Sequence, residues 1–258
     1  MEDYVGRIDA VRRRLSELGS CAVCFSGGLD STVLMDIAYR TLGDDAVAVM
    51  ADVPMMSDRQ REAAMAVVRS IGCRTIVAKV PPEDLEGILE NGHNRCYICK
   101  TAMYSAIRRA ASGAGISDIL NGEIVDDLSE DRPGMAAGPE NGIISPFLEA
   151  DIGRSDIVRY LEGMDLPMTL VKDTCMLMRH PEGMPVTEAD LRLVEELEAA
   201  VRLEIGLRQL RVRKVRDGFS VQTSTAELSA LEAGFGRVER IFASRGIAVS
   251  LNRAGYDK

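Results

Sequence analysis

Tryptophan is missing from this chain of 258 residues, and aromatic residues make up only 4% of it. That scarcity says little about function, because the 13 methionines are ordinary filler for an apolar interior. Positive charge is also in deficit: 31 Lys and Arg against 40 Asp and Glu give a net charge of −9 and a pI near 4.9. A protein that grips nucleic acid mainly through phosphates needs a basic face, so that class is disfavoured, although a local basic patch stays open. No stretch approaches the ~18 consecutive apolar residues of a membrane span. The opening MEDYVGRIDAVRRRL is charged and amphipathic and holds no apolar signal core. These absences predict a cytoplasmic protein with no membrane partner, in a compartment where thiols stay reduced. Its six cysteines are then read as core, metal-binding or catalytic residues ahead of disulfides. With 46% hydrophobic residues, the chain can bury one large core or two modest ones.

Apolar strands alternate with helical periodicity through the first two thirds. Residues 3–18 read as a helix with Val5, Ile8, Val11 and Leu15 on one face, followed by the strand CAVCF at 21–25 and a helix over 31–42. Strands AVAVMAD (46–52), TIVAKV (75–80), ISDILNG (116–122) and GIISPF (142–147) follow, with helices at 58–71 and about 96–112. This order predicts an α/β fold with a five-stranded parallel sheet flanked by helices. Between the fourth and fifth strands, DDLSEDRPGMAAGPENG is acidic and rich in Gly and Pro, which reads as a mobile, functional loop. After Pro167 the pattern changes to a long helix (187–204), short strands in LRQLRVRKV, FSVQTS and IAVSLN, and a helix at 226–244. A smaller α+β domain over 166–258 is therefore expected after a first domain over 1–165.

The chemistry-bearing stretch is FSGGLDS (25–31), where the first strand turns into its helix. Glycines there let consecutive backbone N–H groups point into one concavity at the positive end of a helix, a phosphate cradle. The loop is neither a Walker A motif, which closes on Lys-Ser/Thr, nor a dinucleotide G-x-G-x-x-G. With no closing lysine, the hydroxyls of Ser26 and Ser31 must share in holding phosphate, and Asp30 is placed to hold Mg²⁺ against it. The bland alternative is a generic strand–turn–helix junction.

Ser26-Gly27-Gly28-Leu29-Asp30-Ser31 resembles the signature of the PP-loop ATP pyrophosphatases. Enzymes of that superfamily cleave ATP between the α and β phosphates, adenylate a substrate oxygen and let a nucleophile displace AMP. The resemblance implies that residues 26–31 hold the pyrophosphate end of ATP. It also implies that Ala51 and Asp52 lie near the adenosine and that Gly122 approaches the α-phosphate.

The cysteines sort by geometry. Cys21 and Cys24 sit three apart on a strand, where they point to opposite faces, so they read as core thiols, as does Cys73. Cys96 and Cys99 fall at the head of a helix, where residues three apart share a face and positive neighbours favour thiolates. Cys175, in KDTCMLMRHPEG, would complete a three-thiolate site with one open position. Three chemistries fit that set: a structural zinc with His93 or His180 as fourth ligand, a [4Fe–4S] cluster with one iron open to substrate, or Cys175 as a lone nucleophile beside a redox pair. Each histidine by itself reads better as a surface or packing residue.

The chain is more narrowly similar to the LarE-type sulfur transferases. The similarity runs through NRCYICK (94–100), the Asp126-Asp127 pair, RPGMAA (132–137), SPFLEADIGRSDI (145–157), KDTCMLMRHPEG (172–183), RVR (211–213) and the ending SLNRAGY. It implies a PP-loop domain and a smaller C-terminal domain that adenylate a carboxylate on a pyridinium mononucleotide, a nickel-pincer cofactor precursor, and deliver sulfur to it. In one branch of that family the sulfur comes from the enzyme's own cysteine, at the position of Cys175, and in another a [4Fe–4S] cluster on three cysteines carries it; Cys96, Cys99 and Cys175 together resemble the second branch. Arg211 and Arg213, alternating on a strand, reach one face and could grip a substrate phosphate, and Arg179 joins them as a candidate phosphate or carboxylate ligand. The ordinary reading of Arg-x-Arg on a short strand is a solvated edge. Departures are Met178, where the family has a small polar residue, Asn121-Gly122-Glu123 at the end of strand four, and Ala199, beside Glu198, at the family's acidic position. These leave the ATP chemistry in place and open the identity of the acceptor.

The expected cofactors are therefore ATP, Mg²⁺ and a [4Fe–4S] cluster. The expected partners are a small phosphorylated carboxylate and a sulfur donor, and relatives imply a homo-oligomer. A PP-loop tRNA thiolase with a cluster is the nearest alternative, though no zinc ribbon or basic RNA-binding module is visible. Amide formation with ammonia would have no use for three converging thiols. A non-catalytic ATP-binding or zinc-stabilised module is the alternative from outside enzymology.

Overall fold

The computed structural model of the protein describes residues 2–129, 133–164 and 173–255. They divide into two compact units, the first comprising residues 2–53, 58–88, 94–129 and 133–164 and the second residues 54–57, 89–93 and 173–255. Two short excursions from the first half of the chain thus belong with the second unit. The boundary expected near 165 lies outside the described residues.

In the first unit, α1 (Glu2–Leu18) leads into β1 (Cys21–Cys24), α2 (Leu29–Leu42), β2 (Ala46–Asp52), α3 (Asp58–Ile71) and β3 (Arg74–Lys79). After the single turn α4 (Glu86–Leu89) come α5 (Arg95–Gly113), β4 (Ile119–Leu120), two more single turns, α6 (Ala137–Glu140) and α7 (Pro146–Glu149), and then α8 (Arg154–Glu162). The strands form one parallel sheet in the order β3-β2-β1-β4. Most of β1 and β2 is buried, as their apolar runs require of central parallel strands. The chain runs outward from β1 through β2 to β3, then returns to the far side of β1 for β4. That reversal leaves a crevice beyond the carboxyl ends of β1 and β4, the place where open parallel sheets bind ligands.

Among the described residues the sheet has four strands, where five were expected. Ile144 makes only an isolated parallel bridge to Leu120. Pro146 has no amide to donate and opens α7 two residues later, so the segment cannot extend as a strand. The Gly/Pro-rich segment after β4 carries short helical turns at Val125–Ser129, Pro133–Met135 and α6, while residues 130–132 lie outside the described residues. The turn at Pro133–Met135 packs on α5 so closely that a methyl group at Gly134 would stand 3.3 Å from both the Cys96 carbonyl oxygen and Lys100 Cδ.

In the second unit, α9 (Glu188–Ile205) begins at Thr187, whose hydroxyl accepts from the Asp190 amide while the Asp190 carboxylate accepts from the Thr187 amide. It ends at Gly206 in the left-handed conformation. β5 (Arg211–Val215) and β6 (Gly218–Gln222) form an antiparallel hairpin, and β7 (Val249–Leu251), which follows α10 (Leu228–Ala243), pairs parallel to β6. α9 and α10 pack on each other, and Phe219 of β6 and Phe242 of α10 are in tilted contact at 6.2 Å.

Candidate active site

The buried Phe25 extends β1, its amide donating to the Val49 carbonyl, and the chain then turns sharply. Gly27 makes the turn with φ +75°, and a Cβ there would lie 2.6 Å from Ala64 Cβ on α3. Only glycine satisfies both demands. The two serine hydroxyls organise the loop from within. Ser31 Oγ accepts from the Ser26 amide (3.3 Å) and donates to the Gly28 carbonyl (3.2 Å), Ser26 Oγ accepts from the Gly28 amide (3.3 Å), and the two hydroxyls lie 3.1 Å apart. The loop is thus held open by groups that an incoming phosphate can replace.

Gly122, just past β4, meets this loop from the other side of the switch point. A Cβ on Gly122 would stand 3.0 Å from the Asp30 carbonyl carbon and the Ser31 amide nitrogen, so glycine is what lets the two strand ends approach. Between them lies a cleft lined by loop residues, by Ala51 and Asn121, and by Lys100, Met103, Tyr104 and Ile107 of α5. Cys24 also lines it, but burial, helped by Glu123, pushes its thiol up to about 12, so it stays protonated. Cys21 is fully buried and its thiol is likewise pushed up to about 12.

Asp30 stands at the start of α2 on the cleft wall. Burial raises its carboxyl above the ordinary aspartate value and nearby Asp127 adds to the rise, against the pull of the Arg154 guanidinium 2.5 Å away. The adjacent acids Asp126 and Asp127 divide their work. Asp126 Oδ2 accepts from the Arg154 amide (2.7 Å) at the head of α8, whereas Asp127 is buried, accepts from the Ile124 amide and lines the cleft. Asp52, expected near the adenosine, bonds to Arg61 at 2.5 Å, and it is its neighbour Ala51 that lines the cleft.

Cys96 and Cys99 occupy the first turns of α5 as expected, Cys96 exposed and Cys99 partly covered. Cys99 Sγ lies 3.6 Å from the sulfur of Met103, which itself lines the cleft. Cys175 is exposed in the second unit, immediately before a helical turn at Met176–Arg179. That turn is fixed by the Met176 amide to the Met55 carbonyl (2.9 Å) and by Arg213 Nη1 to the Met178 carbonyl (2.9 Å). Among the described residues, no three His, Cys, Asp or Glu side chains gather into a metal-binding group.

Arg179 corrects an expectation. Its side chain is fully buried, with Nε on Glu198 Oε1 (2.9 Å), Nη2 on Asp173 Oδ1 (2.5 Å) and Nη1 on the Thr174 carbonyl (2.9 Å) and hydroxyl (2.7 Å). A guanidinium so committed has no face for a substrate phosphate; it holds the residues around Cys175 in place. Glu198 is the buried hub of this network and also accepts from Arg202 (2.8 Å) and the Val212 amide (3.0 Å). Arg211, on the edge strand β5, is buried rather than solvated, and Arg213 is partly exposed. His93 is exposed and 3.2 Å from Glu182, while His180 is buried.

Lys100, Glu123 and Arg154 were not singled out from the sequence as functional. A lone charged residue in a helix or after a strand gives no periodic or motif signal, and only the folded cleft brings these three to the loop.

Residues 8–111, which contain the glycine loop and β1 to β3, match the asparagine synthase family model. The first unit, a four-stranded parallel sheet flanked by helices, is consistent with the PP-loop fold. Over 254 residues the chain is 27% identical to an uncharacterised protein of Synechocystis sp., slr1717, covering 97% of this chain and 94% of that protein. Over 245 residues it is 27% identical to the pyridinium-3,5-bisthiocarboxylic acid mononucleotide synthase of Lactiplantibacillus plantarum, covering 94% and 88%. A glutamine-hydrolysing GMP synthase polypeptide of Methanococcoides burtonii is 25% identical over 216 residues, 77% of this chain and 68% of that protein. The family match and these likenesses indicate an enzyme and support its use of ATP. No helix among the described residues is long and apolar enough to cross a membrane.

Proposed function

We propose that this protein is an ATP-dependent sulfur transferase. In this reading it adenylates a carboxylate of a small phosphorylated substrate, a pyridinium dicarboxylate mononucleotide or a close analogue, and replaces the activated oxygen by sulfur. The observation that carries the proposal is the joining, in one unit, of the Ser26–Ser31 loop, Asp30 and Gly122 around a cleft whose α5 wall also bears Cys96 and Cys99. Likeness along nearly the whole chain to an enzyme whose product is a bisthiocarboxylic acid mononucleotide supports the acceptor class.

In the first half-reaction the loop amides and the Ser26 and Ser31 hydroxyls would hold the β- and γ-phosphates, and Asp30 would hold the Mg²⁺ that offsets their charge. A substrate carboxylate oxygen attacks the α-phosphorus, the bond to the β-phosphate oxygen breaks, and pyrophosphate leaves with the electron pair. In the second, a sulfur nucleophile attacks the acyl carbon and AMP departs with the carbon–oxygen bonding pair. Arg211 and Arg213 are the proposed partners of the substrate phosphate, and Cys175 is the proposed catalytic cysteine, as a ligand of the group that would carry the sulfur. A [4Fe–4S] cluster held by Cys96, Cys99 and Cys175 would supply the transferred sulfur as sulfide. Thiolate chemistry suits such a group, although no three ligating side chains gather among the described residues. A cytoplasmic homo-oligomer, resupplied by a separate sulfur donor, completes the reading.

Two measurements test it. Protein purified and reconstituted without oxygen should absorb near ~400 nm and contain iron and sulfide, and Cys96→Ser, Cys99→Ser or Cys175→Ser should each remove the band. Stoichiometric zinc without iron would overturn the cluster. With ATP, Mg²⁺ and the dicarboxylate mononucleotide, pyrophosphate should be released in a reaction abolished by Asp30→Ala; orthophosphate in its place would overturn the adenylation chemistry.

A further inference from the structure

Among the described residues, four charged ones line the cleft of the PP-loop domain: the acids Asp30, Glu123 and Asp127, and the single cation Lys100. A polyanionic nucleotide therefore enters a cleft whose own charge opposes it, and of these four Lys100 is the side chain able to offset that charge directly. Its ammonium is held by the carboxylate that follows Gly122, with Nζ donating to Glu123 Oε1 at 2.7 Å. The stem is held as well, because the backbone at Gly134 approaches to where a methyl would meet Lys100 Cδ at 3.3 Å. Glu123 is 12% exposed and Lys100 35% exposed, so the pair sits at the cleft wall and not in open solvent. The carboxylate that positions Lys100 belongs to the strand end that Gly122 lets approach the Asp30–Ser31 backbone.

From this geometry we infer that Lys100 is the contact for the α-phosphate of bound nucleotide and that Glu123 is its positioning residue. The inference rests on the ATP reading above and deepens it. An ammonium has three donors, so Lys100 can keep Glu123 and still give a hydrogen bond to a non-bridging phosphate oxygen. The loop hydroxyls and amides serve the pyrophosphate end, which leaves the α-phosphate in need of a cation when a second anion, the substrate carboxylate, approaches it. A preorganised charge at that point gains value as negative charge builds on the phosphoryl oxygens. Lys100 lies one helical turn after Cys96, so the helix that steadies the phosphate also carries the thiol pair.

The test compares two probes, AMP and adenosine, by calorimetric titration of the full-length protein and its Lys100→Met and Glu123→Gln variants. Wild-type protein should bind AMP more tightly than adenosine. Lys100→Met, which keeps the apolar stem, should weaken AMP about tenfold to a hundredfold, as expected for losing a charge-assisted hydrogen bond, and leave adenosine unchanged. Lys100→Arg should recover part of the loss. Glu123→Gln should weaken AMP less than Lys100→Met, because the ammonium stays but its aim is relaxed. Unchanged AMP affinity in Lys100→Met, or equal losses for AMP and adenosine, would overturn the assignment while sparing the ATP reading. Wild-type protein that binds neither probe would overturn both.

Discussion

Arg154 donates from Nη1 to Oδ1 of Asp30 at 2.5 Å, while its own backbone amide is held by Asp126 at the head of α8. A guanidinium therefore rests on one oxygen of the carboxylate proposed for Mg²⁺, and a metal held there would compete with it for the charge. Removing the competitor in Arg154→Met should lower the half-saturating Mg²⁺ concentration for ATP cleavage about fivefold, roughly 1 kcal/mol for a part-exposed ion pair. An unchanged or higher Mg²⁺ requirement would show that Arg154 does not compete for that site.

The same carboxyl sets an acid limit on activity. Asp30 must be ionised to hold Mg²⁺, and burial with Asp127 nearby keeps its pKa above the ordinary 3.8. The acid limb of the pH–rate profile should therefore lie above that value. Asp127→Asn removes a neighbour that raises the pKa and should move the limb to lower pH, whereas Arg154→Met removes one that lowers it and should move the limb up. If both variants leave the limb in place, another group is responsible for it.

Gly122→Ala should separate nucleotide binding from folding. The new methyl would stand 3.0 Å from the backbone of Asp30 and Ser31, and neither β4 nor the loop can yield by a rotamer change. Overpacking of this kind costs about 1–3 kcal/mol. Much of it should appear as a rise of about tenfold in the KM for ATP, with the thermal transition lowered only slightly. A variant with wild-type KM would show that the strand end does not form the phosphate side of the cleft.

What was readable in the sequence follows from how each residue signals its role. β2 and α3 fall on the residues read for them, because a buried parallel strand and an amphipathic helix announce themselves by apolar run and period. The loop was readable because glycine at positions 27 and 28 and serine at 26 and 31 do their work within six consecutive residues. The fifth strand was misread because an apolar run of its length suits a strand or a buried turn equally, and Pro146 decided for the turn. Arg179 was misread for another reason. Arginine near a reactive cysteine suggests an anion ligand, and the acids that claim it are scattered, Asp173 six residues before it and Glu198 nineteen after it. Lys100 and Arg154 meet partners 23 and 124 residues away, a pairing that no local pattern encodes.

Arg179→Ala should damage the second unit more than any surface arginine change. It would leave Asp173 and Glu198 buried without their common counter-charge, a loss of about 3–5 kcal/mol for a broken buried ion pair. Urea unfolding should register that loss, with Arg179→Lys falling between the two because a lysine keeps the charge but not the forked geometry. If Arg179→Ala is as stable as wild type and weakens only substrate binding, the guanidinium serves the substrate after all.

His180 gives the second unit a pH dependence of definite sign. Burial pushes its imidazole below the ordinary 6.5, and the nearby Lys214 and Arg179 charges push it further, against a partial pull from Asp190. Neither ring nitrogen has a hydrogen-bond partner, so protonation in the folded state gains no new bond. The unfolded chain accepts a proton as pH falls below about 6.5, while the folded protein resists until lower pH. Unfolding is then linked to proton uptake, and stability should be full above pH 7 and decline as the pH falls through the window below 6.5. Each pH unit by which the folded pKa is depressed corresponds to about 1.4 kcal/mol. His180→Leu removes the titrating group and should flatten this part of the curve, with little change in stability at pH 8. Denaturant unfolding of both proteins at pH 5, 6, 7 and 8 makes the comparison, and parallel curves would assign the acid loss to other groups.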